Sequence, residues 1–201
     1  MRLAPVIPVL TIADAAHARP IAEALVAGGL RVLEVTLRTP AALEAMAEMA
    51  KVEGAVVGAG TVLNPADLEE SLGAGAKFIV SPGLTDALAS AAIDAGVSFL
   101  PGVSSASDIM RGLDLGLTHF KFFPAEAAGG RKALAALCAP FGQVRFCPTG
   151  GITSETAPEW LAMPQVLCVG GSWLVPAGAP DPASIRASAT LSAGLKRSPF
   201  Q

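Results

Sequence analysis

His119-Phe120-Lys121-Phe122-Phe123-Pro124-Ala125-Glu126 sets a single ammonium among bulky aromatic side chains. The run reads as a short strand, in which alternate residues face opposite sides: His119, Lys121 and Phe123 on one, Phe120 and Phe122 on the other. Pro124 ends it, and Ala127-Ala128-Gly129-Gly130 forms a flexible loop before an apolar helical stretch. Lys121 therefore lies near the carboxyl end of a strand that feeds a helix, which is where α/β proteins place their chemistry.

At neutral pH about one free lysine in a few thousand carries the neutral amine that attacks a carbonyl. Burial disfavours the charged form, and lysines that form Schiff bases use this device. Two blander roles are open to the same residue: its head can reach solvent, or it can hold a phosphate as a point charge.

The rest of the chain bounds the choice. Its 201 residues, 52% hydrophobic and 15% charged, suffice for one domain with a large core, expected to span 1–201. A net charge of -3 without a basic cluster argues against nucleic-acid partners and anionic membrane surfaces. The long uncharged run from Trp160 to Pro180 is broken by Pro164, Gly170, Gly171 and Pro176, and prolines likewise interrupt the apolar first ten residues. Neither a membrane span nor a signal peptide is expected. Cys138, Cys147 and Cys168 are odd in number and lack metal-type spacing, which suggests small buried thiols in a reducing compartment. With only His17 and His119, a histidine-rich metal site is also not expected.

Short β-branched runs alternate with alanine-rich helical stretches eight times. The strands are expected near 6–12, 32–36, 55–59, 78–81, 98–101, 119–122, 144–147 and 166–169. Helices are expected near 14–27, 40–51, 65–74, 84–95, 107–115, 131–139, 154–162 and 182–195. Repeated βα units mean a parallel sheet, and eight close most economically as a (β/α)8 TIM barrel. An open doubly wound sheet competes, but no Gly-x-Gly-x-x-Gly follows the first strand.

In Leu33-Glu34-Val35-Thr36-Leu37-Arg38 polar and apolar residues alternate without exception. Leu33, Val35 and Leu37 would meet the helix layer, leaving Glu34, Thr36 and Arg38 to point into the barrel or its mouth. A carboxylate and a guanidinium there form a mutual ion pair or serve a function. Thr61 supplies a hydroxyl just past a glycine-rich strand, Gly58-Ala59-Gly60, and Ser81-Pro82-Gly83 marks the turn after the fourth. Two glycine pairs follow the last two strands, in Pro148-Thr149-Gly150-Gly151 and Gly170-Gly171-Ser172. In a TIM barrel the loops after strands seven and eight often bind phosphate through backbone amides, and Ser172 adds a hydroxyl.

Taken together, Leu33 to Thr39, Gly58 to Asn64, Ser81-Pro82-Gly83, Phe120 to Glu126, Phe146 to Ile152 and Gly170 to Leu174 resemble the 2-keto-3-deoxy-6-phosphogluconate aldolases, which often also act as 4-hydroxy-2-oxoglutarate aldolases. The motifs span nearly the whole chain. The resemblance implies a class I aldolase of the cytoplasm on a TIM barrel, commonly a homotrimer, with no metal or other cofactor and a 2-keto acid sugar phosphate as its partner. It implies Lys121 as the Schiff-base lysine and Glu34 as the acid/base. Arg38, Thr61 and Thr149 match the residues that hold the pyruvyl carboxylate. Pro82 and Phe123 line the substrate site, while Gly150, Gly151, Gly171 and Ser172 match the phosphate loops. A phosphosugar isomerase or epimerase, using Glu34 without a covalent lysine, and a metabolite sensor without turnover are the competing functions. A buried nucleophile beside an inward carboxylate favours an enzyme, because simple binding needs neither.

Overall fold

Short polar side chains cap the start of several helices in this chain. Asn64 accepts a hydrogen bond from the Asp67 amide, with Pro65 in the first turn. Thr85 accepts from Leu88, and Ser105 and Asp108 cap each other's amides reciprocally. The computed structural model describes residues 1–199; the last two residues of the expected domain, Phe200 and Gln201, lie outside the described residues.

Among the described residues nine strands result: β1 Val6–Leu10, β2 Val32–Thr36, β3 Val56–Gly60, β4 Phe78–Val80, β5 Ser98–Leu100, β6 Gly102–Val103, β7 His119–Phe122, β8 Arg145–Pro148 and β9 Val169–Gly171. Among the described residues eight α-helices alternate with them: α1 Ala18–Ala27, α2 Ala42–Ala50, α3 Pro65–Gly73, α4 Asp86–Asp94, α5 Ala106–Asp114, α6 Gly130–Cys138, α7 Ala157–Leu161 and α8 Pro182–Ala193. Parallel pairing runs β5-β4-β3-β2-β1-β9 in one arc and β6-β7-β8 in the other.

Both gaps between the arcs are bridged. Pro101, which has no amide hydrogen, separates β5 from β6, yet its carbonyl accepts from the Lys121 amide at 2.8 Å. At the other junction Thr149 bridges to Gly170 and Phe146 to Val166. The sheet thus curls on itself with eight strand positions, one split in two by a proline. This is the expected (β/α)8 barrel.

Several boundaries differ from the expected ones: the first strand ends at Leu10 rather than 12, α1 begins at Ala18 after a 3-10 turn over Ala15–His17, and α8 ends at Ala193 rather than 195. The last strand falls at Val169–Gly171 rather than 166–169, because those residues find the register of Val6, Ile7 and Pro8 on β1. Helix α2 begins at Ala42, since the Thr39 hydroxyl is spent on the Ile12 carbonyl. Helix α7 has only five residues, because Thr153 and Thr156 hydrogen-bond to each other in the turn before it.

Strand alternation divides the interior into two apolar layers. Leu33, Val35, Phe120 and Phe122 pack outward against the helices. Inside the barrel, Ile7, Val32, Val80, Leu100, Cys147 and Cys168 form a plug. All three cysteines are unpaired and buried, as their spacing suggested. Among the described residues no helix is long and apolar enough to cross a membrane.

The strand that carries Lys121 is seated by Phe120, whose ring lies against Phe146 with centroids 6.3 Å apart and over Gly112 of α5. A Cβ at Gly112 would come within 2.3 Å of that ring. Gly112→Ala gains about 1 kcal/mol of helix propensity, but overpacking a pinned, buried ring costs about 2–3 kcal/mol. A net loss of about 1–2 kcal/mol is therefore expected in denaturant melts. An unchanged or raised midpoint would show that the ring can move aside.

Candidate active site

Strand β7 presents Lys121 and strand β2 presents Glu34, 87 positions apart in sequence. They meet inside the barrel, with Nζ 3.2 Å from Oε1 and each residue 3% exposed. The approach depends on glycine at the end of β3: a Cβ on Gly60 would lie 2.3 Å from Glu34 Oε1, so the carboxylate rests against bare backbone. Phe123 closes the other flank, its ring centroid 5.0 Å from the ammonium nitrogen.

The polar face expected on β2 divides its labour. Glu34 takes Lys121. Thr36 donates to the Leu10 carbonyl at 2.8 Å and lies 3.1 Å from the Thr11 hydroxyl, so it laces β2 to β1. Arg38, beyond the strand end, is exposed and forms no ion pair among the described residues. A Glu34–Arg38 pair, one of the two expectations for these side chains, is not formed.

The remaining sequence-derived residues follow the carboxyl ends of other strands, around the same mouth. Thr61, just after β3, is half-buried with φ 60°, the only positive-φ residue other than glycine among the described residues. A β-branched side chain there is strained. Pro82, half-buried after β4, leans on Gly102, where a Cβ would meet its carbonyl oxygen at 2.1 Å. Thr149, only 6% exposed, follows β8 with its side chain over Gly170; a Cβ there would lie 2.3 Å from its hydroxyl oxygen. Gly150 and Gly151 turn at φ 105° and 79°, and Gly171 lies under the Trp173 ring. Ser172 is exposed at the rim.

Two contributors lacked a separate signal. Glu126, in the opening motif but with no expected role, ties the loops together: its amide donates to the Gly150 carbonyl at 3.1 Å and its carboxylate accepts from Trp160 Nε1 at 3.1 Å. Cys147 is the register partner of Lys121, next to Cys168. Hydrogen bonding to Cys147, together with burial, holds the Cys168 thiol well above its usual pKa. The material directly beneath the amine is therefore uncharged at Cys168. Only the glycine within β3 hinted that something would lie close over the sheet.

A parallel barrel with one buried amine against one buried carboxylate at the carboxyl ends of its strands defines a class, the barrel enzymes that work on small molecules at this mouth. Comparison with known proteins narrows it. Residues 1–187 match the family model "Aldolase: KDPG and KHG aldolase". The 2-dehydro-3-deoxy-phosphogluconate aldolase of Zymomonas mobilis is 61% identical over 197 residues, covering 98% of this chain and 95% of that protein. The crystal structure of the 2-keto-3-deoxy-6-phosphogluconate aldolase of Zymomonas mobilis with 3-phosphoglycerate superposes with a TM-score of 0.96 at 61% identity, covering 98% and 94% of the two chains. That of KDPG aldolase from Legionella pneumophila, with pyruvate captured as a covalent carbinolamine, gives 0.93 at 45% identity, covering 96% of each. The chain belongs to the KDPG and KHG aldolase family. It is thus a carbon–carbon lyase, and neither the isomerase nor the sensor.

Thr61 offers a direct test of the strained turn. Relief of its positive φ is worth about 1–3 kcal/mol, while glycine loosens the unfolded chain by about 0.4–1 kcal/mol. Thr61→Gly is therefore expected to raise the melting temperature by about 2–4 °C. A lower melting temperature would mean that contacts of the threonine outweigh its backbone strain.

Proposed function

We propose that this aldolase cleaves 2-keto-3-deoxy-6-phosphogluconate to pyruvate and glyceraldehyde 3-phosphate through a Schiff base on Lys121, and that it also cleaves 4-hydroxy-2-oxoglutarate to pyruvate and glyoxylate. The observation that carries this is the 3.2 Å contact of Lys121 Nζ with Glu34 Oε1 in a site that excludes water from both. The carbinolamine of the Legionella pneumophila relative supports it, since a carbinolamine is the first product of an amine attacking a ketone.

As its proton passes to Glu34, Lys121 attacks the 2-keto carbon to give a carbinolamine; Glu34 returns that proton to the departing hydroxyl, and loss of water gives an iminium. That cation is the electron sink: it accepts the bonding pair when the bond between the third and fourth carbons breaks, so the step requires no metal or added cofactor. Glu34, within hydrogen-bond reach of the amine, moves the proton of the fourth-carbon hydroxyl as the aldehyde departs. The same proton returned to the enamine restores the iminium, which water hydrolyses to pyruvate and free lysine. Whether Glu34 acts directly or through one water, its place beside the nitrogen suits both steps.

Around this centre Arg38, free of ion pairs, clamps the substrate carboxylate with parallel hydrogen bonds, aided by the hydroxyls of Thr61 and Thr149. Pro82 and Phe123 wall the pyruvyl end. The backbone amides of Gly150, Gly151 and Gly171, with Ser172, hold the phosphate at the other. We further propose that residues 1–201 work as one barrel domain, assembled as a homotrimer in the cytoplasm. Kinship with the family supports the trimer, and three unpaired thiols suit a reducing compartment.

Borohydride added with pyruvate is expected to leave a reduced adduct on Lys121, detected by peptide mass spectrometry and absent from Lys121→Ala. An adduct on another lysine would remove the assignment. Glu34→Gln is expected to keep the adduct while turnover of either substrate falls at least about 100-fold; normal turnover would make Glu34 structural. Sedimentation equilibrium is expected to report three chains per particle, and a monomer would end the trimer proposal.

A further inference from the structure

Where the strands begin, at the end of the barrel remote from Lys121, a cavity of about 430 Å³ opens to solvent. One strand serves both ends. His119 precedes Lys121 by two residues and so shares its face of β7, with imidazole at the lower mouth and amine at the upper. The lower cavity is walled by Val32, Val56, Phe78 and Leu100 from four neighbouring strands. Its floor, through Ile7, is the apolar plug inside the barrel.

The rim has a different character. Arg2, Lys77 and His119 stand around the opening with exposed side chains, and among the described residues no aspartate or glutamate lines it, in a chain whose net charge is -3. The segment that carries Arg2 is tied down, its carbonyl accepting from the Arg197 guanidinium at 3.0 Å. His119 registers the imbalance. Partial burial first, and then the positive charges of Arg2, the amino terminus and Arg145, hold its pKa below the usual value, while the Thr118 hydroxyl lies 3.1 Å from its Nδ1. Among the described residues no carboxylate acts on it.

An apolar cavity in the size range of small-molecule sites, with cations at its lip and no ion-pair partner for them among the described residues, fits one kind of occupant. We propose that the amino-terminal mouth of the barrel is a second binding site, for a medium-chain amphipathic carboxylate. The apolar body enters between the strands and the carboxylate stays at the rim with Arg2, Lys77 and His119. A phosphosugar fits poorly here, since its hydroxyls would meet Val32, Val56 and Leu100 without partners. This site neither uses nor requires the chemistry at Lys121.

The chain has only two histidines, His17 and His119, so proton NMR of the imidazoles reads the site directly. Octanoate is expected to raise the His119 pKa and leave His17 unmoved, because a bound carboxylate favours the imidazolium. Each buried methylene tightens binding about fourfold, so hexanoate is expected to bind about 16-fold more weakly. Octanamide, uncharged, leaves the His119 pKa unraised. The rim variant Arg2→Glu/Lys77→Glu is expected to lose the octanoate effect while retaining wild-type aldol cleavage, and Lys121→Ala to keep the effect in full. The proposal is overturned if octanoate leaves His119 unmoved, if acetate acts as strongly as octanoate, or if the rim variant responds like the wild type. Loss of the effect in Lys121→Ala would assign the carboxylate to the catalytic mouth. A His119 signal that follows protein concentration and ignores octanoate would assign the face to a second copy of the chain.

Discussion

Two charges held out of water, Lys121 and Glu34, set the terms for everything around them. Removing an ammonium and a carboxylate from solvent costs several kcal/mol each, and attraction between them repays this only with close geometry. The barrel supplies that geometry from elements far apart in the chain. Glycine at the end of β3 lets the carboxylate lie flat, Phe123 covers the nitrogen, and Phe120 and Phe122 anchor β7 in the helix layer. An apolar plug beneath denies water a second route in.

The mouth is built on backbone as much as on side chains. Strand ends aim amides and carbonyls at one rim, and the loops between them are stitched crosswise rather than left free. The Glu126 amide meets the Gly150 carbonyl and its carboxylate meets Trp160, while Ala125 and Thr149 pair across the same gap at 2.8 Å. The loop that binds phosphate in the proposed mechanism is thereby fixed to the loop that follows the catalytic strand. Such fixing matters because a carbon–carbon bond breaks only while aligned with the iminium system. Strain at Thr61 and the buried Thr149 belong to the same design, in which the scaffold holds unfavourable local conformations in place.

A barrel also has a second mouth, and here the two differ in kind. Above the plug, charge is paired and buried; below it, apolar walls lie open and positive charge gathers at the edge with no ion-pair partner among the described residues. Because β7 spans both, anything held at the lower mouth contacts the strand on which the amine stands. The plug between them is made of the buried side chains of Ile7, Val32, Val80, Leu100, Cys147 and Cys168.

Local chemistry wrote much of this into the chain. Period-two alternation in Leu33 to Arg38 and in His119 to Phe123 assigned each side chain its face, and alternating strand and helix stretches specified the barrel, because face and period depend only on neighbours along the chain. The motifs specified the family and the candidate residues. What neighbours along the chain cannot convey is who meets whom across the barrel: that Glu34 chooses Lys121 over Arg38, that Thr36 is spent on Leu10, that Gly60 makes room for the carboxylate. Nor could they convey that the last strand shifts to Val169 to pair with β1, or that a cation-rimmed cavity opens beside His119. Those outcomes are set by strand register and closure of the ring, which bring together residues separated by half the chain, and only the folded structure holds that information.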